Sequence, residues 1–266
     1  MEAFIQYGFL QRALVAGVFV AMACSLLGVF LVLRKDAMIG HGLAHVSFAG
    51  VALGLWFKTS PLMAALILTV ATAIVMAKIR VKAGLSGDTA IALFSSAGFA
   101  LGLILVSYSK GYSADLLSYL FGDILSISPG EVWLSIILAS TVVLLVIFKY
   151  QKLLFLTFDP ETAKTSGVNV DRLDLLLTVL AAVTVVLGMK VVGILLVAAL
   201  IVFPSASGLQ LAGNFRMALI LSGVFSVSSV VLGLWVAYVI DIPASGAIVF
   251  ISFLFFLSIL LAKKIR

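Results

Sequence analysis

The sequence predicts an all-α, polytopic membrane protein with about eight transmembrane helices. Three observations carry that expectation. Hydrophobic residues fill 64% of the 266 positions and charged residues only 11%, against about 45–50% and about 25% in soluble domains. Mean hydropathy is +1.30. The apolar residues gather in runs of roughly the 20 residues that cross a bilayer. The basic residues gather in alternate connections between those runs. So few charges exclude a soluble enzyme, a disordered chain and a fibrous chain. The net charge of +6 reports topology and contact with an anionic bilayer rather than nucleic acid.

In chain order, the runs are Ala13–Leu33, Met38–Phe57, Leu62–Ala77, Thr89–Tyr108 and Val132–Phe148, then Leu173–Phe203, Met217–Ile240 and Pro243–Ala262. Leu173–Phe203 is interrupted by Lys190 and, at 1.5 Å per residue, is too long for one upright span. It is either one long broken helix or two short ones, so the count is eight with nine as the alternative. The first run is long and followed by many others, which excludes a cleaved signal peptide. Cys24 is the sole cysteine, so neither an intrachain disulfide nor a cysteine metal cluster is available. It reads as a small buried hydrophobe.

Arg34 and Lys35, then Lys78, Arg80 and Lys82, then Lys149, Lys152, Lys164 and Arg172 occupy three connections that share a side. The intervening connections hold Lys58 and Lys110. The positive-inside rule places the nine in the cytoplasm and the N-terminus outside. Eight spans put the C-terminus outside as well, against Lys263, Lys264 and Arg266, which suit a ninth crossing. Between Gly111 and Gly130 the apolar runs are too short to cross, and Gly122 and Asp123 interrupt them. That stretch reads as an outer helix pair or a shallow re-entrant element with its backbone buried in protein.

The cytoplasmic loop Lys149–Arg172 carries its own helix. Asp159 is an N-cap, Pro160 takes the first helical position, and Gly167 suits the left-handed residue after the end. Glu161 favours the positive end of the helix dipole and Lys164 the negative end. Two turns are marginal alone in water, so the helix rests on something. Two occupants compete: the lipid interface, or a partner that pushes on it through Phe155, Leu156 and Phe158. The chain has no GxxxxGK[ST] phosphate loop, so an ATPase driving it is another chain.

His41 and His45 are the chain's two histidines. Spacing of four puts both rings on one helix face, and an ionisable group inside a span is a functional candidate. Three roles fit: hydrogen bonding to a neighbouring helix, handling a borderline metal ion, and proton relay. Two nitrogens do not complete a metal site, so further ligands or a second copy are needed. No HExxH supports metal hydrolase chemistry, and Ser47 lies on another face; no catalytic residue is identified. Asp115, Asp123 and Glu131 lie at the outer end, as a solvated rim or as a surface that attracts a cation or a partner. Lys190 inside an apolar helix snorkels, pairs with a carboxylate or tunes a pore. Asp241 marks a turn between the last two spans. Small-residue pairs at Gly50/Gly54 and Gly98/Gly102 permit close helix contact, and Pro204 ends or kinks a helix.

Four segments in this order carry a family resemblance: 33–50 (LRKDAMIGHGLAHVSFAG), 119–123 (YLFGD), 158–168 (FDPETAKTSGV) and 191–204 (VVGILLVAALIVFP). Together they resemble the permease subunit of the zinc/manganese/iron uptake ABC transporters. The likeness covers nearly the whole chain, so 1–266 reads as one transmembrane permease domain with 149–172 as its cytoplasmic loop. The resemblance implies a multi-pass prokaryotic cell-membrane protein of about eight spans, with the metal-type ABC importer permease fold. It implies a homodimer with the pathway between the copies, cytoplasmic ATPase subunits beneath, and an extracytoplasmic metal-binding protein above. No cofactor is permanently held; a divalent ion, zinc or manganese, is bound in transit. Phe158, Asp159, Pro160, Glu161, Lys164 and Gly167 match the family's coupling segment. His45 matches the family's span-two histidine. His41 stands where an Asp is usual, and Ala44 where many members have Ser. The two-nitrogen set leans toward zinc over manganese. Other classes remain beside this one: an ABC permease for iron chelates or corrinoids, a secondary metal transporter without an ATPase, and a structural membrane subunit.

Overall fold

The computed structural model describes residues 7–108 and 114–264. Lys110, Gly111 and Arg266 lie outside the described residues. The elements are α1 (Gly8–Leu33), α2 (Met38–Trp56), α3 (Pro61–Lys82), α4 (Gly87–Tyr108), α5 (Ala114–Phe121), a 3-10 turn (Ile124–Ser126) and α6 (Pro129–Phe148). After them come α7 (Tyr150–Phe158), α8 (Pro160–Thr165), α9 (Val170–Val192), α10 (Val197–Leu211), α11 (Phe215–Ile240) and α12 (Ala244–Lys264). Among the described residues eight helices are long and apolar enough to cross a membrane, namely α1–α4, α6, α9, α11 and α12.

The bundle has an inner layer of α1, α2 and α9, each largely buried, and an outer layer led by α3, α4, α6 and α12, which keep most of their surface for lipid. Small residues let the inner layer close up. Along α1, Ala13, Ala16, Ala21, Ala23 and Cys24 are fully buried. The two small-residue pairs serve specific contacts: Gly50 and Gly54 face Ala65 and Pro61 of α3, and Gly98 and Gly102 face Val46 and Phe48 of α2. A methyl group at any of the four would overlap its neighbour, so α2 is the helix against which α3 and α4 both pack.

The long apolar stretch 173–203 resolves into two helices. Gly193, at φ 84 and ψ 161, ends α9 in a conformation that only glycine adopts at low cost. The break at residues 193–196 is stitched to the outer stretch: the Ile194 N–H donates to the Tyr119 carbonyl at 3.0 Å. α10 then returns for fifteen residues, about 22 Å of helix. Pro204 lies in its interior rather than at its end; helices packed among other helices tolerate such a proline.

This return accounts for the basic C-terminus. Lys263 Nζ donates to Gln210 Oε1, 3.1 Å away at the end of α10. The next helix begins at Phe215, whose ring packs on Tyr150 and Phe158 of the 149–172 loop, both at 5.8 Å. Lys263 therefore shares an end of the bundle with that loop, and the short α10 runs from the outer stretch back to that end beside eight full-length helices. Asp241 caps α11 in the left-handed region, at φ 58, as the turn between α11 and α12.

Candidate functional site

His41 and His45 sit in the first two turns of α2, just after the basic connection at 34–35. Their rings share a face as expected: the Nε2 atoms are 3.2 Å apart and the ring centroids 4.6 Å. His45 is half-buried, with Phe99 of α4 edge-on to its ring at 5.0 Å; His41 is exposed. The polar partner of each ring is the other ring rather than a neighbouring helix, among the described residues. Ser47 points elsewhere, donating to the Ala44 carbonyl at 2.7 Å while fully buried. Among the described residues no three His, Cys, Asp or Glu side chains gather as a metal site. One chain therefore presents two imidazole nitrogens side by side on one face of α2.

Just before the histidines, the connection into α2 is held by charges that lie far apart in the chain. Asp36 is 5% exposed and accepts from Arg34 Nε at 3.4 Å and from Arg80 at 3.2 Å. Arg34 also pairs with Asp174 of α9. Arg80 and Asp174 lie 44 and 140 positions from their partners, so no local signal announces the network. It ties the α1–α2 connection to α3 and α9 at the cytoplasmic end.

At the outer end, Lys190 of α9 meets Glu131 of α6 at 2.8 Å and stands over the Tyr119 ring at 4.3 Å. Of the three rim candidates, two are engaged locally. Glu131 also closes a capping box with Ser128 at the start of α6, and Asp123 caps the 3-10 turn through Ser126. Asp115 is exposed in the first turn of α5. The stretch folds inward: Leu116, Tyr119, Ile124 and Ile127 are buried, and Ile124 reaches Gly17 of α1.

In the cytoplasmic loop, the Asp159 carboxylate accepts from the Thr162 N–H at 2.9 Å. Hydrogen bonds from Thr162, first through its side chain and then its backbone, hold the Asp159 carboxyl below its ordinary range. Pro160 opens α8, Ala163 is buried beneath it, and Gly167 (φ +80) ends it. The helix is six residues, shorter than the two turns expected, and a second helix, α7, precedes it. Phe158, Glu161 and Lys164 are exposed, whereas Leu156 is turned into the core. Phe158 is therefore available to a partner and Leu156 is not.

Eight apolar spans, a capped helix presented on the cytoplasmic face and an open pair of histidines within a span define a membrane permease. The ABC 3 transport family matches residues 6–263, and the chain belongs to that family, as the permease subunit of a metal-type ABC importer. It is 33% identical over 265 residues to the manganese transport system membrane protein MntC of Listeria innocua, covering 99% of this chain and 94% of the relative. It is 31% identical to the manganese import system permease protein ScaB of Streptococcus gordonii, covering 100% and 97%. PsaBC from Streptococcus pneumoniae, solved in complex with a Fab, superposes with a TM-score of 0.86 at 30% identity, over 97% of this chain and 93% of that one. The resemblance read from the four motifs is borne out.

Proposed function

We propose that two copies of this chain form a pathway in which His41 and His45 of each copy bind a divalent transition-metal ion in transit. The observation that carries it is the separation of the two nitrogens. Tetrahedral zinc with nitrogen ligands at about 2.0–2.1 Å needs neighbouring nitrogens roughly 3.3 Å apart; the Nε2 atoms stand at 3.2 Å. A second copy supplies the other pair. The site is then four imidazoles with no carboxylate or thiolate among them, suited to release rather than to permanent binding. The imidazole set favours zinc, and the relatives named for manganese favour manganese; the cargo is one of these two ions.

In this reading a separate ATPase docks on α7–α8 and pushes through Phe158, Glu161 and Lys164. An extracytoplasmic binding protein delivers the ion at the outer rim near Asp115. The test is uptake in proteoliposomes containing the permease with its ATPase. Replacing His41 and His45 together by Ala abolishes metal-stimulated ATP hydrolysis and uptake in the proposed mechanism; unchanged rates overturn it. Transport by the permease alone would instead assign a secondary carrier. Substituting Phe158 and Glu161 reduces ATPase co-purification, and full retention rejects docking at α8.

A further inference from the structure

A groove of about 780 Å³ opens on the flank of the bundle away from the histidine face. Met22 and Leu26 of α1 form its floor, with Ile147 of α6 on one wall and Leu219 and Val224 of α11 on the other. No residue of α2 or α4 lines it. Its one charged lining residue is Arg216, at the cytoplasmic end beside Tyr150. The Arg216 guanidinium lies 6.0 Å from the Tyr150 ring centre, and among the described residues no carboxylate lies within 4.0 Å of it.

We infer that this groove holds one anionic phospholipid of the cytoplasmic leaflet, its phosphate on Arg216 and an acyl chain along α11. Three features select that occupant. From Arg216 to Ser228 the lining follows α11 for twelve residues, about 18 Å, close to half of the roughly 30 Å hydrocarbon core. The groove thus begins at headgroup level and ends near the bilayer midplane, the depth of one leaflet. The exposed guanidinium offers a fork of donors to a phosphate, with Lys149 adjacent to Tyr150 in the chain. The cytoplasmic leaflet carries the anionic lipids, and basic pockets between spans on that side select their headgroups. A protein occupant would have to match an arginine at one end and a bare aliphatic wall elsewhere.

The test uses the full-length permease in nanodiscs of phosphatidylcholine containing a minority of phosphatidylglycerol, followed by native mass spectrometry of retained lipid. The wild type retains one phosphatidylglycerol per chain, enriched over phosphatidylcholine. Arg216→Gln lowers that enrichment about fivefold, the equivalent of one basic contact at the surface. Gly223 lines the groove and a side chain there meets open space, so Gly223→Leu folds, keeps Arg216 and still displaces the lipid. Unchanged retention in both variants overturns the inference, as does retention indifferent to headgroup. A Gly223→Leu variant that splits a dimer assigns the groove to a second copy and also overturns it.

Discussion

The two ends of the bundle are fastened differently. At the cytoplasmic end, four charges, Arg34, Asp36, Arg80 and Asp174, join the α1–α2 connection, α3 and α9. At the outer end, among the described residues, one ion pair, Lys190 with Glu131, joins α9 to α6, beside the Tyr119 ring, two backbone hydrogen bonds from Ile194 and Leu195, and the steric fit between Gly122 and Gly193. The contrast teaches that the two ends differ in what must break before their helices part. α8 ends at Thr165 and α9 begins at Val170, four residues before Asp174, so the network links α1, α3 and α9 next to the loop. The outer junction relies on one ion pair and short-range backbone contacts instead of a charge network. In the proposed mechanism that asymmetry supplies a stiff end to receive force and a lightly held end to yield.

The outer steric fit is the place to break the comparison outright. Gly193→Leu puts a side chain into the Leu120 carbonyl and Phe121 at a φ of +84, so monodisperse protein should be lost in fluorescence-detected gel filtration. Next in size, Asp36→Asn leaves two half-buried arginines without their shared carboxylate. Loss of one partner from a buried pair costs about 3–5 kcal/mol, which lowers the melting temperature by roughly 6–20 °C in a chain of this size. Glu131→Gln should cost less, about 1–3 kcal/mol, because Tyr119 still faces Lys190 and Glu131 is 22% exposed. Adding Lys190→Met should return much of that loss. Equal melting shifts for Asp36→Asn and Glu131→Gln would refute the asymmetry.

The smallest effect sharpens the comparison at the 149–172 loop. Asp159→Ala removes the side-chain cap of α8 without touching the core, so melting should hardly change while hydrogen exchange of residues 160–165 accelerates. The Asp159 carboxyl is held below its ordinary range by Thr162. The stability from its ionised form is therefore fully present above the ordinary carboxylate pKa, and is lost only as pH falls through the lowered value. Exchange of residues 160–165 in the wild type, corrected for its intrinsic pH dependence, should show equal protection at pH 5 and pH 7.

Legibility followed distance along the chain. Spans, caps and the histidine face are periodic or local patterns within one helix, and they were readable. The capping of α8 by Asp159 and its end at Gly167 need only residues a few positions apart. The Gly50/Gly54 and Gly98/Gly102 pairs were visible as small-residue spacing, yet which helix each would meet was not. Lys190 was visibly anomalous, but its partner Glu131 lies on another helix. Leu156 shows the reverse error: an apolar residue in a polar loop invited a partner contact, and the fold buries it instead.

Composition, hydrophobic period and charge placement settled that lipid is the solvent, which connections face the cytoplasm and that two histidines share a face, because each follows from the chain's local geometry and its transfer to the bilayer. The fold decided that α10 returns to the end of the bundle that holds the 149–172 loop, that Asp36 gathers two arginines and that Lys263 lies at that same end. Those outcomes depend on pairing residues distant in the chain. A hydropathy pattern shows that a segment is buried but not which neighbour buries it.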